Sequence, residues 1–378
     1  MLARARRAIP RLPASAGERS LPRLSVVVPA RDEAAAIERA IGSLLAQDYP
    51  DLEIVAVDDR SSDGTGEVLR AIRARDPRLV VLRVDELPAG WLGKNHALAR
   101  GADRASGAWL LFTDADVVFA SGALRRAVAY AESERLDHLT LAPLLIARSV
   151  LLRAFVAFFA YAFITLWGAY LANDPKSGRG VGIGAFNLVR REAYDAIGGM
   201  RPLSLRPDDD IRLGRRLRAF GFRQRVLNGR DVISVEWYAS LGSAIRGLEK
   251  SLYAGAEYRA VDAVLAIAFI VATMVWPFPG VVLLGGTDRV LLGTAAICLL
   301  LGLAETYRQA FGPINGRALA VIALLPFSAL GFAYALARSC VLAERRGVAW
   351  RGTVYPLALL RSQSGLEGSP ASGSVRAR

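Results

Sequence analysis

Between residues 24 and 142 the chain repeats one unit: a short β-branched, aliphatic run, then a stretch with helical periodicity. The runs 25–29, 53–57, 79–84, 108–113 and 138–142 predict strands. The intervening 34–47, 66–75, 94–106 and 121–134 predict helices. Apolar strands separated by helices build βαβ units, so the expected fold class is α/β with a doubly wound, mostly parallel sheet. Such a sheet gathers the carboxyl ends of its strands along one edge. Ligands of open α/β sheets bind in the crevice there.

Acidic residues collect where these strands end. Thr113-Asp114-Ala115-Asp116 follows the fourth strand, and two carboxylates in an Asp-x-Asp turn can hold a hard divalent cation and its phosphates. Asp58 and Asp59 end the second strand, in Val57-Asp58-Asp59-Arg60-Ser61-Ser62-Asp63-Gly64-Thr65. Carboxylates there can accept hydrogen bonds from a base or a ribose. Pro29-Ala30-Arg31-Asp32-Glu33 ends the first strand. Each piece alone also reads as turn and helix-cap chemistry. Three consecutive acidic strand ends on one edge are hard to treat as three independent turns.

Composition narrows the chemistry. The chain of 378 residues has two histidines, His96 and His138, and two cysteines, Cys298 and Cys340. No disulfide framework or zinc cluster can be built from so few, and acid–base work falls mainly to carboxylates. His96 falls on the first turn of a helix and suits packing or capping; His138 opens a strand and is given no role. The net charge of +13 comes from 48 Lys+Arg against 35 Asp+Glu, but the arginines are scattered. No recognition motif accompanies them, so nucleic acid is not expected as a partner.

Taken in order and spacing, Pro-Ala-Arg-Asp-Glu, Val-Asp-Asp-Arg-Ser-Ser-Asp-Gly-Thr, Gly93-Lys94-Asn95 and Asp-Ala-Asp resemble the family 2 glycosyltransferases of the GT-A fold, over about residues 24–235. The apolar C-terminal region and Trp350-Arg351-Gly352 resemble that family's membrane-bound bacterial subgroup, which includes enzymes linked to carotenoid and hopanoid glycosylation. The resemblance implies an inverting hexosyltransferase that moves one sugar from a nucleoside diphosphate sugar, by family default a UDP-sugar, to a lipid or lipid-linked acceptor. It assigns Pro29, Arg31 and Glu33 to the nucleotide pocket and Asp58 and Asp59 to uracil and ribose. Lys94 goes to the base or diphosphate. Asp114 goes to the ribose and, with Asp116, to a divalent metal (Mg2+ or Mn2+) on the diphosphate. The family usually has Asn where this chain has Asp32.

The family also places an acidic pair before Arg-Leu-x-x-x-Gly. Aligning Arg216-Leu217 and Gly221 puts that pair at Asp209-Asp210, with Asp210 as the catalytic base. A charged helix N-terminus stabilised by the helix dipole is the plainer reading of Asp208-Asp209-Asp210. The Gly-rich 180–190 segment corresponds to the family's acceptor-lining strand, which implicates Gly182, Gly184 and Phe186; close strand packing explains the same glycines. The Gln-x-x-Arg-Trp of processive synthases is absent, and 246–251 reads Arg-Gly-Leu-Glu-Lys-Ser. Arg246 and Lys250, four apart, are expected on one face of a helix at 237–258. The alternatives are a non-processive step of polysaccharide synthesis, a non-catalytic membrane scaffold, and a nucleotidylyltransferase. The last is opposed by the lack of glycine in 30–36.

Hydrophobic residues make up 53% of the chain, more than an ordinary soluble domain carries. The expected organisation is a flexible basic tail at 1–22, a GT-A domain at 23–258, a membrane region of two or three helices at 259–343, and a basic tail at 344–378. Residues 261–284 and 318–340 suffice for membrane spans, whereas 290–304 looks short. The apolar 144–172 is long enough to cross, but the metal aspartates precede it and the base follows it. One crossing would separate them, so an interfacial helix is expected, with Arg148 and Arg153 near headgroups. The resemblance, with a sugar nucleotide drawn from the bacterial cytoplasm, implies a multi-pass protein of the inner membrane whose catalytic domain faces the cytoplasm.

Overall fold

The computed structural model describes residues 9–14 and 21–362. The chain divides into two units. One is built from Pro10–Ala142 and Leu171–Ile233, the other from Pro143–Tyr170 and Ser234–Ser362.

The first unit is an α/β sheet domain. Its chain order is β1 (Leu24–Ala30), α1 (Ile37–Leu45), β2 (Leu52–Asp59), α2 (Thr65–Arg73), β3 (Leu79–Val84), α3 (Gly93–Arg104), β4 (Trp109–Phe112), α4 (Ala123–Ser133) and β5 (His138–Ala142). After the excursion into the other unit come β6 (Asn187–Arg190), α5 (Asp209–Ala219) and β7 (Gln224–Asn228). The seven strands lie in the order β3-β2-β1-β4-β6-β5-β7. β6 runs antiparallel to both its neighbours, and the other pairings are parallel.

β1, β2 and β4 are buried almost throughout, as the apolar runs within them require of central strands. On one face, Val27, Val55, Leu110 and Val189 of the sheet pack with Ala97 and Leu98 of α3 and Leu213 and Leu217 of α5. Each such side chain contributes roughly 1.5–3 kcal/mol on burial. α3 and α5 therefore share one face and bring their N-termini to one sheet edge. The register sets that edge: Ala30 pairs with Asp58, and Val27 with Phe112.

Antiparallel β6 begins where β4 ends, since Asn187 pairs with Phe112. The segment before it thus reaches the same edge. The strand expected over 180–190 is shorter than its pattern, because Gly180 and Gly182 lie against helix backbone instead. A Cβ on Gly180 would strike the Gly214 carbonyl, and one on Gly182 the Asp210 carbonyl. Of the expected flexible tail, residues 1–8 and 15–20 lie outside the described residues. Within the described part, Pro10–Pro13 are held: Leu12 N–H donates to Asn228 O at 3.0 Å, and Asn228 N–H to Pro10 O at 2.8 Å.

The second unit is mostly helical. Val150–Thr165 is capped by Ser149, whose Oγ accepts from Leu152 N–H. At 16 residues it is too short to cross a bilayer. It packs on Leu325–Arg346 and Gly286–Ala310, with the Phe158 ring 5.7 Å from Phe332. Arg148 pairs with Glu236 at 2.7 Å. Arg153 donates to Ala147 O at 2.7 Å and lies over the Phe311 ring.

Gly286–Ala310 and Leu325–Arg346 are each long and apolar enough to span a membrane. The first corrects the reading of 290–304 as short: its 25 residues include charges at both ends, with Arg308 paired to Glu305 at 2.7 Å. Ala260–Val275 and Pro277–Leu283 meet at a 51° bend and count as a third span if taken together. Pro277 cannot donate a backbone hydrogen bond, which accounts for the break.

The single helix expected over 237–258 is instead Leu241–Leu248 and Leu252–Gly255. Lys250 falls beyond the first and sits 4.1 Å from the centre of the Trp350 ring, so it shares no helix face with Arg246. Of the expected tail at 344–378, Val348–Trp350 and Thr353–Tyr355 form a hairpin, and residues 363–378 lie outside the described residues.

Candidate active site

Three successive residues at the start of α3 organise the carboxyl edge of the sheet. A Cβ on Gly93 would collide with the Asp59 carboxylate, so only glycine lets the end of β2 approach this helix N-terminus. Lys94 Nζ lies 2.9 Å from Asp114 Oδ1 and 3.5 Å from Asp209 Oδ2. Burial opposes the charge on Lys94, but Asp114, Asp209 and Asp210 outweigh it and hold the ammonium above its ordinary range. Buried Asn95 donates through Nδ2 to Leu203 O at 2.6 Å and to Arg206 O at 2.8 Å. It thereby ties α3 to the loop that delivers α5. The sequence reading quoted Asn95 but gave it no task.

The three aspartates at the start of α5 have different surroundings. Asp208 accepts from Arg206 Nε at 3.0 Å and Arg212 Nε at 2.8 Å. Burial raises its pKa, yet these two guanidinium groups lower it below the usual carboxylate value. Asp209 faces Lys94. Asp210 accepts from Gly184 N–H at 2.7 Å and from Ile211 N–H at 2.8 Å. Burial raises its pKa, against the pull of Lys94. A Cβ on Gly184 would lie 2.9 Å from Asp114 Oδ2 and 3.2 Å from Asp210 Oδ2. A pocket opens here, lined by Lys94, Thr113, Asp114, Gly184, Asn187, Asp209 and Asp210 among others.

The first two strand ends form a second cluster. Asp58 accepts from Ser61 N–H at 3.1 Å and from Arg83 at 2.7 Å. Asp59 accepts from Arg60 Nε at 2.8 Å, with Arg31 Nη1 3.9 Å away. Arg31 Nε is buried without a hydrogen-bond partner. Glu33 N–H donates to Thr65 Oγ1 at 2.8 Å, and Asp32 Oδ1 accepts from Ser62 N–H at 2.9 Å. These bonds lace the β1–α1 loop to the β2–α2 loop. Pro29, one residue before the end of β1, is half-buried beside them.

Asp116 stands near both clusters. Burial, and the charges of Asp114 and Glu33, push its carboxyl up to about 7. Among the described residues no group of three or more His, Cys, Asp or Glu is assembled for a metal ion. The donors present are carboxylate oxygens carrying excess negative charge. A hard cation such as Mg2+ is commonly held by one or two carboxylates together with substrate phosphates, and Asp114 with Asp116 fits that set.

Of the expected acceptor residues, Gly182 and Gly184 lie beside Asp210. Phe186 does not join them: its ring is fully buried, 6.2 Å from Phe119. Beyond the Gly-rich run its side chain points into the core. His96 meets Trp91 edge-on at 5.6 Å.

Comparison with known proteins agrees with this architecture. Residues 25–198 match the model of the family described as Glycosyl transferase family 2. The chain is 38% identical over 104 residues to the GalNAc(5)-diNAcBac-PP-undecaprenol beta-1,3-glucosyltransferase of Campylobacter jejuni, covering 28% of this chain and 33% of that protein. It is 34% identical over 96 residues to the 4,4'-diaponeurosporenoate glycosyltransferase of Staphylococcus aureus, covering 25% of this chain and 24% of that one. The matched stretch thus spans a third or less of these relatives' lengths. In fold, the chain is similar to a mannosyltransferase from Pyrobaculum calidifontis in complex with GDP-Man and Mn2+. That match has a TM-score of 0.52 and 19% identity, covering 90% of this chain and 92% of that one. The stretch that matches this family's model runs from β1 to β6, and the fold of the sheet is similar to that of the solved mannosyltransferase.

Proposed function

We propose that this protein is a membrane-associated, inverting glycosyltransferase that moves one hexose from a nucleoside diphosphate sugar, a UDP-sugar first, to a lipid or lipid-linked acceptor. The observation that carries the reading is the meeting of Lys94, Asp114, Asp209 and Asp210 around one pocket at the carboxyl edge of the sheet.

Each group suits a part of the reaction. Arg31, with its unpartnered Nε, would bind the nucleotide with Pro29, Glu33, Asp58 and Asp59. Lys94 and Asp114 would face the diphosphate and ribose. Asp114 and Asp116 would hold Mg2+ or Mn2+, and the mannosyltransferase of similar fold was solved in complex with GDP-Man and Mn2+. A bound divalent ion supplies Lewis-acid stabilisation of charge growing on the leaving diphosphate.

Asp210 would take the proton from the acceptor hydroxyl as that oxygen bonds to the anomeric carbon. The bond from that carbon to the β-phosphate oxygen breaks, and the diphosphate leaves with the electron pair. A carboxyl raised by burial is a stronger base than an ordinary one. Asp209 would keep Lys94 in place. Gly182 and Gly184 would let the acceptor approach the backbone.

A lipid acceptor is supported by the two long apolar helices and by the lipid acceptors in the relatives' names. The same features support a multi-pass protein of the bacterial inner membrane with its sheet domain in the cytoplasm. Because Lys94 touches both Asp114 and Asp209, the chain between them cannot cross a bilayer once. This favours an interfacial 144–172 segment. The decisive experiment incubates the purified protein with radiolabelled UDP-sugars, Mg2+ or Mn2+, and bacterial lipid extract. Mass spectrometry would then compare lipids from cells with and without the protein. A sugar-bearing lipid dependent on the protein is expected; donor left intact with every extract would overturn the reading.

A further inference from the structure

His138 opens β5 and is fully buried. Its two ring nitrogens meet side-chain amides from the strands on either side. Nε2 lies 3.0 Å from Asn187 Oδ1 on β6, and Nδ1 lies 2.5 Å from Gln224 Nε2 on β7.

The surrounding bonds decide which nitrogen carries the proton. Asn187 Oδ1 also accepts from Ile183 N–H at 3.3 Å, so the atom facing the ring is an acceptor and His138 Nε2 must be N–H. Gln224 Oε1 accepts from Val181 N–H at 3.1 Å, while Nε2 donates to Val181 O at 2.5 Å. The second hydrogen on Gln224 Nε2 is left for His138 Nδ1, which must be the bare lone pair. Every donor named here then has an acceptor. Burial holds the imidazole down at about 4, which keeps it neutral near pH 7.

The bonds continue into the pocket. Thr140 Oγ1 accepts from Ile183 N–H at 3.0 Å. The next residue, Gly184, donates its N–H to the Asp210 carboxylate. Gly182 has no room for a side chain between Asp210 O and Asn187 Oδ1. The 181–184 backbone is therefore suspended between the His138 network and Asp210.

We propose that His138 is a positioning residue for sugar transfer: its neutral Nε2–H form orients the amides of Asn187 and Gln224, and these hold the 181–184 backbone that fixes the Asp210 carboxylate. The proposal rests on the glycosyltransferase reading only in naming Asp210 as the base.

Gln224→Glu tests it. A carboxylate can still accept from Val181 N–H but has no hydrogen for Val181 O, and it draws a second proton onto His138. The expected result is faster hydrogen exchange at the amides of 181–184 with β1, β2 and β4 unchanged. Transfer per donor-binding site should fall by about 10²-fold, with donor KM held. Parental exchange and parental turnover in a folded variant would overturn the proposal. If the parent transfers no sugar but exchange rises as expected, the reaction assignment fails and the positioning stands. Should the variant not fold, 15N spectra of the parent decide, with His96→Gln leaving His138 as the remaining imidazole of the untagged chain. An Nδ1–H or doubly protonated ring at pH 7 would overturn it.

Discussion

In the sheet unit, Val26, Val28, Leu110 and Leu111 are fully buried and the charges gather along one edge. In the helical unit the apolar residues face outward: Val264 is 62% exposed, Leu291 62% and Phe327 68%. Exposed apolar surface of this kind marks a site of association with a partner or a membrane. The interior of that unit is built from aromatic contacts and small residues, such as Phe158 on Phe332 and Gly302 under Tyr161. The sheet unit hides its apolar side chains in its interior, whereas the helical unit leaves many of them on its surface.

The strongest way to break this comparison lies at the sheet edge. Asp210→Asn removes the proposed base and keeps its shape. Transfer should fall by roughly 10²–10⁴-fold, while donor binding measured by calorimetry stays near the parent value. Unchanged transfer in that variant, with Asp209→Asn inactive, would move the base by one residue.

The next effect separates catalysis from architecture one residue away. Asp208 is locked between Arg206 and Arg212. Asp208→Asn removes the carboxylate that both buried guanidinium groups share, and breaking a buried ion pair costs about 3–5 kcal/mol. Thermal denaturation should show a large loss of stability. Asp210→Asn should show little, so the two variants should lose activity for different reasons.

A third change sharpens the contrast of solvents. Ile297 stands exposed at the middle of Gly286–Ala310. If that face meets lipid, Ile297→Arg should cost about 2.5–3.5 kcal/mol of insertion. The variant should appear in the alkaline-carbonate supernatant, where the parent stays with the membrane. If the face meets water, an exposed substitution changes stability by only about 0.5 kcal/mol, and fractionation should not change.

The alternation of 24–142 was legible because each strand is mostly apolar and the helices between them carry helical periodicity. The acidic strand ends were legible for the same reason: a parallel sheet has one carboxyl edge. The insertion of antiparallel β6 between β4 and β5 was not, since pairing order leaves no mark on local pattern. Nor was the break between Leu248 and Leu252, because Glu249 and Ser251 keep right-handed helical dihedral regions and no glycine or proline stands at 249–251. The true length of Gly286–Ala310 was hidden by charged ends that resemble helix boundaries. Asn95, Gln224 and His138 were given no task because nothing in their local sequence marks the bonds they make. Their meaning lies in partners up to 111 residues away.

The smallest effect concerns the neutral imidazole within the sheet. An unfolded histidine titrates near 6.5, whereas buried His138 is held at about 4. Below pH 6.5 the unfolded chain therefore binds a proton that the folded sheet refuses, and stability falls with pH until the folded value near 4 is reached. Between pH 8 and pH 5 the loss from this group is about 2 kcal/mol. Other groups titrate in the same window, so the measurement is a difference. Melting temperatures of the parent and of His138→Gln are compared at pH 8 and pH 5, with the variant expected to lose less on acidification. Equal losses would mean that the ring is already charged or solvated in the folded protein. The two amides flanking it would then be oriented by something other than its neutral Nε2–H form.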